Sequence, residues 1–150
     1  MNAEEQKLLA DRQAQFDGFL EELNPVLVEF AEDLGLPEPV TILTEPENFV
    51  EPLTEFMRDQ TIGEEDRMWI MVRLAYFIGE VLAARLDGTW FVNEWPETRY
   101  FARYVVGEFE AETRPNAMFD PFEAAGSFTG HPPGRDLAKF IDEIEAACRS

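Results

Sequence analysis

The sequence predicts an α+β domain that is mostly helical, with a long buried central helix packed on a small antiparallel sheet. Apolar residues recur at helical spacing near both ends of the chain, and residues 68–84 form an almost continuous apolar run. Between residues 90 and 119 aromatic and β-branched segments replace that spacing. Helices grouped apart from strands are typical of α+β proteins. The 150 residues fit one domain, with a helical part at 1–62 and the central helix, hairpin and C-terminal helices at 63–150.

Two helices are predicted in the first 34 residues. Asn2 is a suitable cap for a helix that begins at Ala3. The pair Asn24-Pro25 has the pattern of a second cap followed by an N1 proline, so we expect a new helix from there to Leu34. Gly35 then takes the position that glycine favours just beyond a helix.

The segment that follows predicts a short strand and a third helix. Residues 40–43 are apolar enough for a strand. Thr44 and Glu47 have the spacing of a capping box, which predicts a helix to about Asp59. Pro52 lies inside that pattern, so the helix is either kinked or begins later than the box indicates.

The central helix is expected from Gly63 to about Leu86, with acidic residues in its first turn that complement the positive helix end. It is apolar on almost every side, so other elements should cover it. Arg73 and Glu80 are the exceptions, seven residues apart on one side. A covered charge needs a partner, so we expect a carboxylate beside Arg73 and an arginine beside Glu80.

The partner expected for Glu80 is Arg99 or Arg103. Charges of this kind usually specify packing. The alternative is a ligand pocket between the central helix and the sheet, lined by these four charged residues.

Three strands and two helices are predicted after Asp87-Gly88. Residues 90–92 and 100–109 are expected to pair as an antiparallel hairpin with a wide loop, and residues 117–119 to add a third strand. Asp120-Pro121 opens a short helix to about Phe128, and a closing amphipathic helix spans 136–148. Trp95 precedes Pro96 in the hairpin loop, where we expect it to be exposed and available as a binding anchor.

The composition is strongly acidic, with 31 Asp and Glu against 12 Lys and Arg and a net charge of -19. This field repels phosphate, which argues against nucleic acid and anionic membranes as partners and favours a basic protein. Glu47, Glu51 and Glu55 recur every four residues and form an acidic stripe. The stripe is either a solvated helix face or a contact for such a partner, and the acidity as a whole could instead serve solubility alone.

No catalytic or metal-binding pattern is found. The chain has one histidine, His131, and one cysteine, Cys148, which excludes the usual zinc sites and any disulfide within the chain. There is no glycine-rich phosphate loop with its lysine, and the N-terminus lacks the basic and apolar regions of a signal peptide. We therefore expect a cytoplasmic protein with no catalytic residues, no cofactor and no metal.

The C-terminal half resembles a type of uncharacterised bacterial domain, some members of which are similar to immunity proteins of toxin systems. The motifs that carry the resemblance are Tyr76-Phe77-Ile78-Gly79-Glu80-Val81-Leu82, Asp87-Gly88-Thr89-Trp90, Phe119-Asp120-Pro121-Phe122 and Leu137-Ala138-Lys139-Phe140-Ile141. The resemblance implies a cytoplasmic binding protein and no catalytic residues.

The leading hypothesis is thus a non-catalytic module of immunity or regulatory type that binds a basic partner, with Trp95 and the acidic stripe in contact. A small-molecule-binding protein or weak enzyme, with its pocket between the central helix and the sheet, is the alternative. A DNA mimic would need longer acidic rows than this stripe provides. An exposed aromatic hairpin face would also allow a homodimer.

Overall fold

A computed structural model describes all residues from 1 to 150. It contains five α-helices, two 3₁₀ turns and one three-stranded antiparallel sheet, and it confirms the predicted α+β class. The helices are α1 (Ala3–Asp33), α2 (Val50–Arg58), α3 (Glu64–Leu86), α4 (Pro121–Thr129) and α5 (Leu137–Arg149); the strands are β1 (Thr89–Val92), β2 (Tyr104–Gly107) and β3 (Met118–Phe119).

The N-terminal region is one helix, α1, and the predicted division at Asn24-Pro25 is wrong. Pro25 lies inside the helix, where it removes one backbone hydrogen bond. Leu23 and Leu27, on either side of it, are both buried in the same core, and this packing outweighs the local loss.

Both ends of α1 are capped as the sequence indicates. The Glu5 amide donates to Asn2 Oδ1 at 2.8 Å. At the other end Gly35 has φ +70°, and its amide donates to the Glu32 carbonyl while that of Leu36 donates to Ala31. This pair of bonds is a Schellman motif, which requires the left-handed residue that glycine provides.

Residues 36–49 contain no strand. The strand predicted at residues 40–43 is a 3₁₀ turn, Pro39–Leu43, because Pro39 starts the turn with a fixed φ and Ile42 is buried without any strand beside it. The prediction of a capping box at Thr44 and Glu47 is also wrong, since a second 3₁₀ turn, Pro46–Phe49, precedes α2. Because α2 begins at Val50, Pro52 falls in its first turn, where the missing N–H has no bond to lose. The later helix start is thus confirmed.

Helix α3 is the centre of the fold and packs against α1, α4, α5, β1 and β2. Residues 74–79 are all buried. A Cβ placed on Gly79 would lie 2.1 Å from Trp90 Cζ2, so the absence of a side chain at this position lets the indole lie against the helix. The first turns are less covered than expected, since Met68 is 65% and Trp69 40% exposed.

The sheet has the order β1-β2-β3, with both pairs antiparallel as predicted. Trp90 lies opposite Val106, and Phe91 opposite Val105, so Trp90 faces α3 and Phe91 faces away from it. Strand β2 is shorter than the predicted residues 100–109, because Ala102 adopts φ +59° and its amide donates to the Asn93 carbonyl at 2.7 Å. That turn belongs to the wide hairpin loop.

The C-terminal helices follow the prediction closely. Asp120 Oδ1 accepts from the amides of Phe122 and Glu123 at the start of α4. Asp136 caps α5 by accepting from the Lys139 amide at 3.1 Å. None of the helices combines the length and apolar composition that crossing a bilayer requires.

Candidate functional site

The two hairpin arginines do not pair with Glu80, so that prediction is wrong. Arg99 Nη2 lies 2.6 Å from Glu123 Oε1, and Arg103 Nη1 lies 3.1 Å from Asp120 and 3.0 Å from Glu123. The start of α4 brings both acids to the hairpin loop, and Asp120 is there because it caps the helix. Both arginines therefore hold the loop against α4.

Arg73 does not meet a carboxylate either. Its Nη1 donates to the Trp69 carbonyl one turn earlier at 3.1 Å, and its guanidinium carbon lies 4.1 Å from the centre of the Trp69 ring. The buried Nε has no hydrogen-bond partner. A cation–π contact takes the place of the expected ion pair.

Glu80 makes neither a hydrogen bond nor an ion pair. Burial raises the pKa of its carboxyl, because removal from water disfavours the charged form. Arg103 lines a cleft with Arg12 and Asp120, whereas Arg73 and Glu80 line none of the principal clefts. The predicted pocket among Arg73, Glu80, Arg99 and Arg103 is therefore not formed, and Trp90 packs between β1 and α3.

The acidic stripe lies in an open groove of about 480 Å³ between α2 and α5, which we call the acidic groove. Its lining residues are Glu47, Val50, Glu51, Thr54, Glu55, Arg58, Arg85, Asp136, Ala138 and Asp142. The four-residue spacing on α2 aligns Glu51 with Glu55, and the cap residue Asp136 and Asp142 of α5 add two further carboxylates. The groove therefore extends the stripe across two helices.

Arg85 neutralises one end of the acidic groove. It donates to both oxygens of Glu47 at 2.7 and 2.9 Å, to Asp142 at 2.8 Å and to Glu145 at 3.2 Å. Its hydrogen bonds lower the pKa of Glu47. Glu51 and Glu55 are exposed and have no cationic partner, so their charges remain available to another molecule.

A second cleft of about 410 Å³ lies on the face of the sheet opposite α3, and we call it the sheet-face cleft. It is lined by Phe91, Val92, Asn93, Glu94, Trp95, Glu108, Phe109, Thr113, Asn116, Ala117 and Met118. Trp95 is 46% exposed, as the sequence predicts. Three aromatic rings and two carboxylates line the cleft, and no lysine or arginine does.

The walls of this cleft are held by hydrogen bonds of the hairpin. Asn93 is 2% exposed and its Nδ2 donates to Thr98 Oγ1 at 2.7 Å, while the Asn93 amide donates to the Arg103 carbonyl. Glu94 accepts a hydrogen bond from Gln13 of α1. Glu108 and Asn116 have φ of +51° and +56°, a conformation that is uncommon for residues with a side chain. The cleft is therefore bounded by a loop with fixed hydrogen bonds.

Sequence reasoning identified Trp95 but not the cleft around it. The aromatic density of the hairpin was the available signal, but it does not distinguish a cleft from core packing or an interface. Phe109, Thr113 and Met118 come from the segment after β2 and join Trp95 only through the strand pairing.

The remaining chemistry-bearing residues are dispersed. The structure groups no three His, Cys, Asp or Glu side chains in an arrangement that could hold a metal ion. His131 lies edge-on between Phe128 and Phe140, with ring centres 6.2 and 5.9 Å away. Cys148 is buried, which raises the pKa of its thiol. These contacts serve packing between α4 and α5.

Comparison of the chain with protein-family models, with curated proteins and with solved structures gives no match.

Proposed function

We propose that this protein is a non-catalytic binding module, of immunity or regulatory type, that recognises a basic protein partner. The observation that carries the proposal is the excess of carboxylates without a cation. Only six of the 31 acidic residues form ion pairs, namely Asp11, Glu47, Asp120, Glu123, Asp142 and Glu145. The others leave a surface that attracts positive charge.

The acidic groove is the contact we propose for this partner. Glu51 and Glu55 face solvent beside Asp136 in an open groove of about 480 Å³. Exposed carboxylates at a rim mainly accelerate encounter and select the partner, while desolvated aromatic anchors supply most of the affinity. The groove therefore governs association rather than dissociation.

Capture at low salt tests the proposal, followed by identification of the bound protein by mass spectrometry and measurement of its association rate. Glu51→Gln with Glu55→Gln should lower the association rate about threefold at about 20 mM NaCl, and the difference should vanish near 500 mM. Glu29→Gln with Glu32→Gln on α1 removes the same charge from exposed positions outside the groove and is the control.

Equal association rates at low and high salt for the wild-type protein would contradict attraction by charge. Equal effects of the two double variants would contradict the groove as the contact.

Binding of a small molecule is a second candidate, favoured by the sheet-face cleft. Its volume of about 410 Å³ falls within the range of small-molecule sites. This candidate differs from the predicted alternative, since the cleft lies on the other face of the sheet from α3. A ligand that raises the unfolding temperature of the wild-type protein but not of Trp95→Ala would support it.

A further inference from the structure

We propose that the sheet-face cleft receives a lysine or arginine side chain from the basic partner. This inference rests on the proposed function and adds to it a specific site, separate from the acidic groove. The two share no lining residue.

The composition of the cleft suits a long cationic side chain. Phe91, Trp95 and Phe109 offer apolar surface for the methylene stem and aromatic faces for the charged end. Lysine and arginine bury their stems on such surface while the charged group stays at the rim. A neutral aliphatic side chain would contact the same rings but gain nothing from the carboxylates of Glu94 and Glu108.

Charge complementarity selects the cation. Glu94 and Glu108 are the ionisable residues of the lining, and both are exposed. Two arginines, Arg99 and Arg114, line a smaller adjoining cleft and are already engaged. Arg99 binds Glu123, and Arg114 donates to the Ala147 carbonyl at 3.1 Å. An incoming cation therefore meets two carboxylates that have no cation of their own.

The backbone around the cleft supports a binding role. Glu108 occupies the left-handed region at φ +51°, where glycine would be less strained. A residue kept in a strained conformation is often found at a functional site. A glycine at this position would relieve the strain but would also remove the carboxylate from the lining of the cleft.

The test is an NMR titration of the isotopically labelled full chain with Nα-acetyl-lysine-N-methylamide at constant ionic strength. The indole signals of Trp69, Trp90 and Trp95 are followed, and Trp95→Phe assigns the third. We expect the Trp95 signal to shift and saturate with a Kd of about 1 mM, whereas the norleucine analogue, with the same stem and no charge, should cause no saturable shift.

Matched charge variants show whether the cleft carboxylates are responsible. Glu94→Gln with Glu108→Gln should weaken binding of the lysine amide about fivefold. Glu97→Gln with Glu110→Gln removes the same charge next to the cleft but outside its lining, and should change the Kd by less than about 1.5-fold. Dispersed amide spectra of all variants establish that they are folded.

Three results would overturn the inference: equal shifts with lysine and norleucine amides, equal effects of the two double variants, or no shift at all. Choline is the final comparison. If choline binds ten times more tightly than the lysine amide, the cleft is a site for a free organic cation, and the proposal that it receives a partner's side chain is wrong. If the cleft fails these tests while the acidic groove controls association, the proposed function still stands. If the cleft binds the lysine amide while the groove variants do not change association, only the groove is excluded as a contact.

Discussion

At the residue scale, the guanidinium of Arg135 connects two loops by donating hydrogen bonds to backbone carbonyls. It is 6% exposed and has no acidic partner. Its guanidinium donates to the carbonyls of Met57 and Gln60 at 2.9 and 2.8 Å and twice to that of His131. The end of α2 has free carbonyls and negative partial charge, so a buried cation stabilises it.

Arg135→Met should therefore lower the free energy of unfolding by about 2 kcal/mol or more, because the carbonyls of Met57, Gln60 and His131 lose their donor at contacts that are buried or partly buried. Urea denaturation of the variant measures this loss. Arg58→Met is the control, since Arg58 is exposed and its side chain makes no hydrogen bond, and it should change stability by less than about 0.5 kcal/mol. A similar loss in both variants would show that charge alone, rather than the carbonyl contacts, is responsible.

Glu80 should make the folded protein less stable as the pH rises. Burial raises its pKa above the value of 4.5 that an exposed glutamate has. The folded state then holds the proton more tightly than the unfolded chain, so this contribution to stability is complete below about pH 4.5 and is lost as pH rises through the folded-state pKa.

Glu80→Gln should accordingly be more stable than the wild-type protein at pH 7, and this advantage should shrink as the pH falls below the pKa of Glu80. Thermal unfolding from pH 4 to pH 8 measures the difference. Glu29→Gln on α1 removes one exposed charge and controls for the general relief of repulsion. A wild-type protein more stable than Glu80→Gln at pH 7 would show that the carboxylate has a favourable partner in solution.

At the scale of elements, β1 packs closely against α3 at Gly79. Any side chain there would overlap Trp90, whose ring is rigid and already buried. Gly79→Ala should destabilise the fold by about 1–3 kcal/mol despite the better helix propensity of alanine, because the indole must move.

Two further variants make this test specific. Gly126→Ala, in α4, meets only Met71 Sδ at 3.7 Å and should be neutral or stabilising by up to about 1 kcal/mol. In a Trp90→Phe background the Gly79→Ala change should cost less, since the smaller ring leaves room. An equal cost in both backgrounds would mean that the indole contact is not the cause.

Element boundaries were predictable where a local signal acted alone. Asn2, Asp120 and Asp136 lie at the helix starts that their side-chain acceptors predict, and Gly35 lies at the helix end that its left-handed backbone predicts. Pro25 shows the limit of such signals, because its local preference for a helix start is overridden by burial of Leu23 and Leu27. The turn at residues 39–43 shows the same limit, since three apolar residues and Thr41 do not reveal whether a neighbouring strand exists.

At the scale of the whole molecule, the net charge of -19 opposes folding through repulsion among unpaired carboxylates. Raising NaCl from about 20 to 300 mM should screen this repulsion and increase Tm by about 3 °C at pH 7. Thermal denaturation followed by circular dichroism checks it. A decrease in Tm would mean that ion pairs such as those of Arg85 outweigh the general repulsion.

The sequence by itself determined the fold class, the long central helix, the order of the strands in the chain, the two ends of α1, the starts of α4 and α5, and the exposure of Trp95. These follow from hydrophobic periodicity and local hydrogen bonding, which act over a few residues. Only the tertiary structure decided that Arg99 and Arg103 bind the acids of α4 and not Glu80, that Arg73 lies on Trp69, and that two separate clefts exist. Those outcomes depend on which distant segments the strand pairing and helix packing bring together. Local sequence patterns, which extend over a few residues, do not specify these long-range contacts.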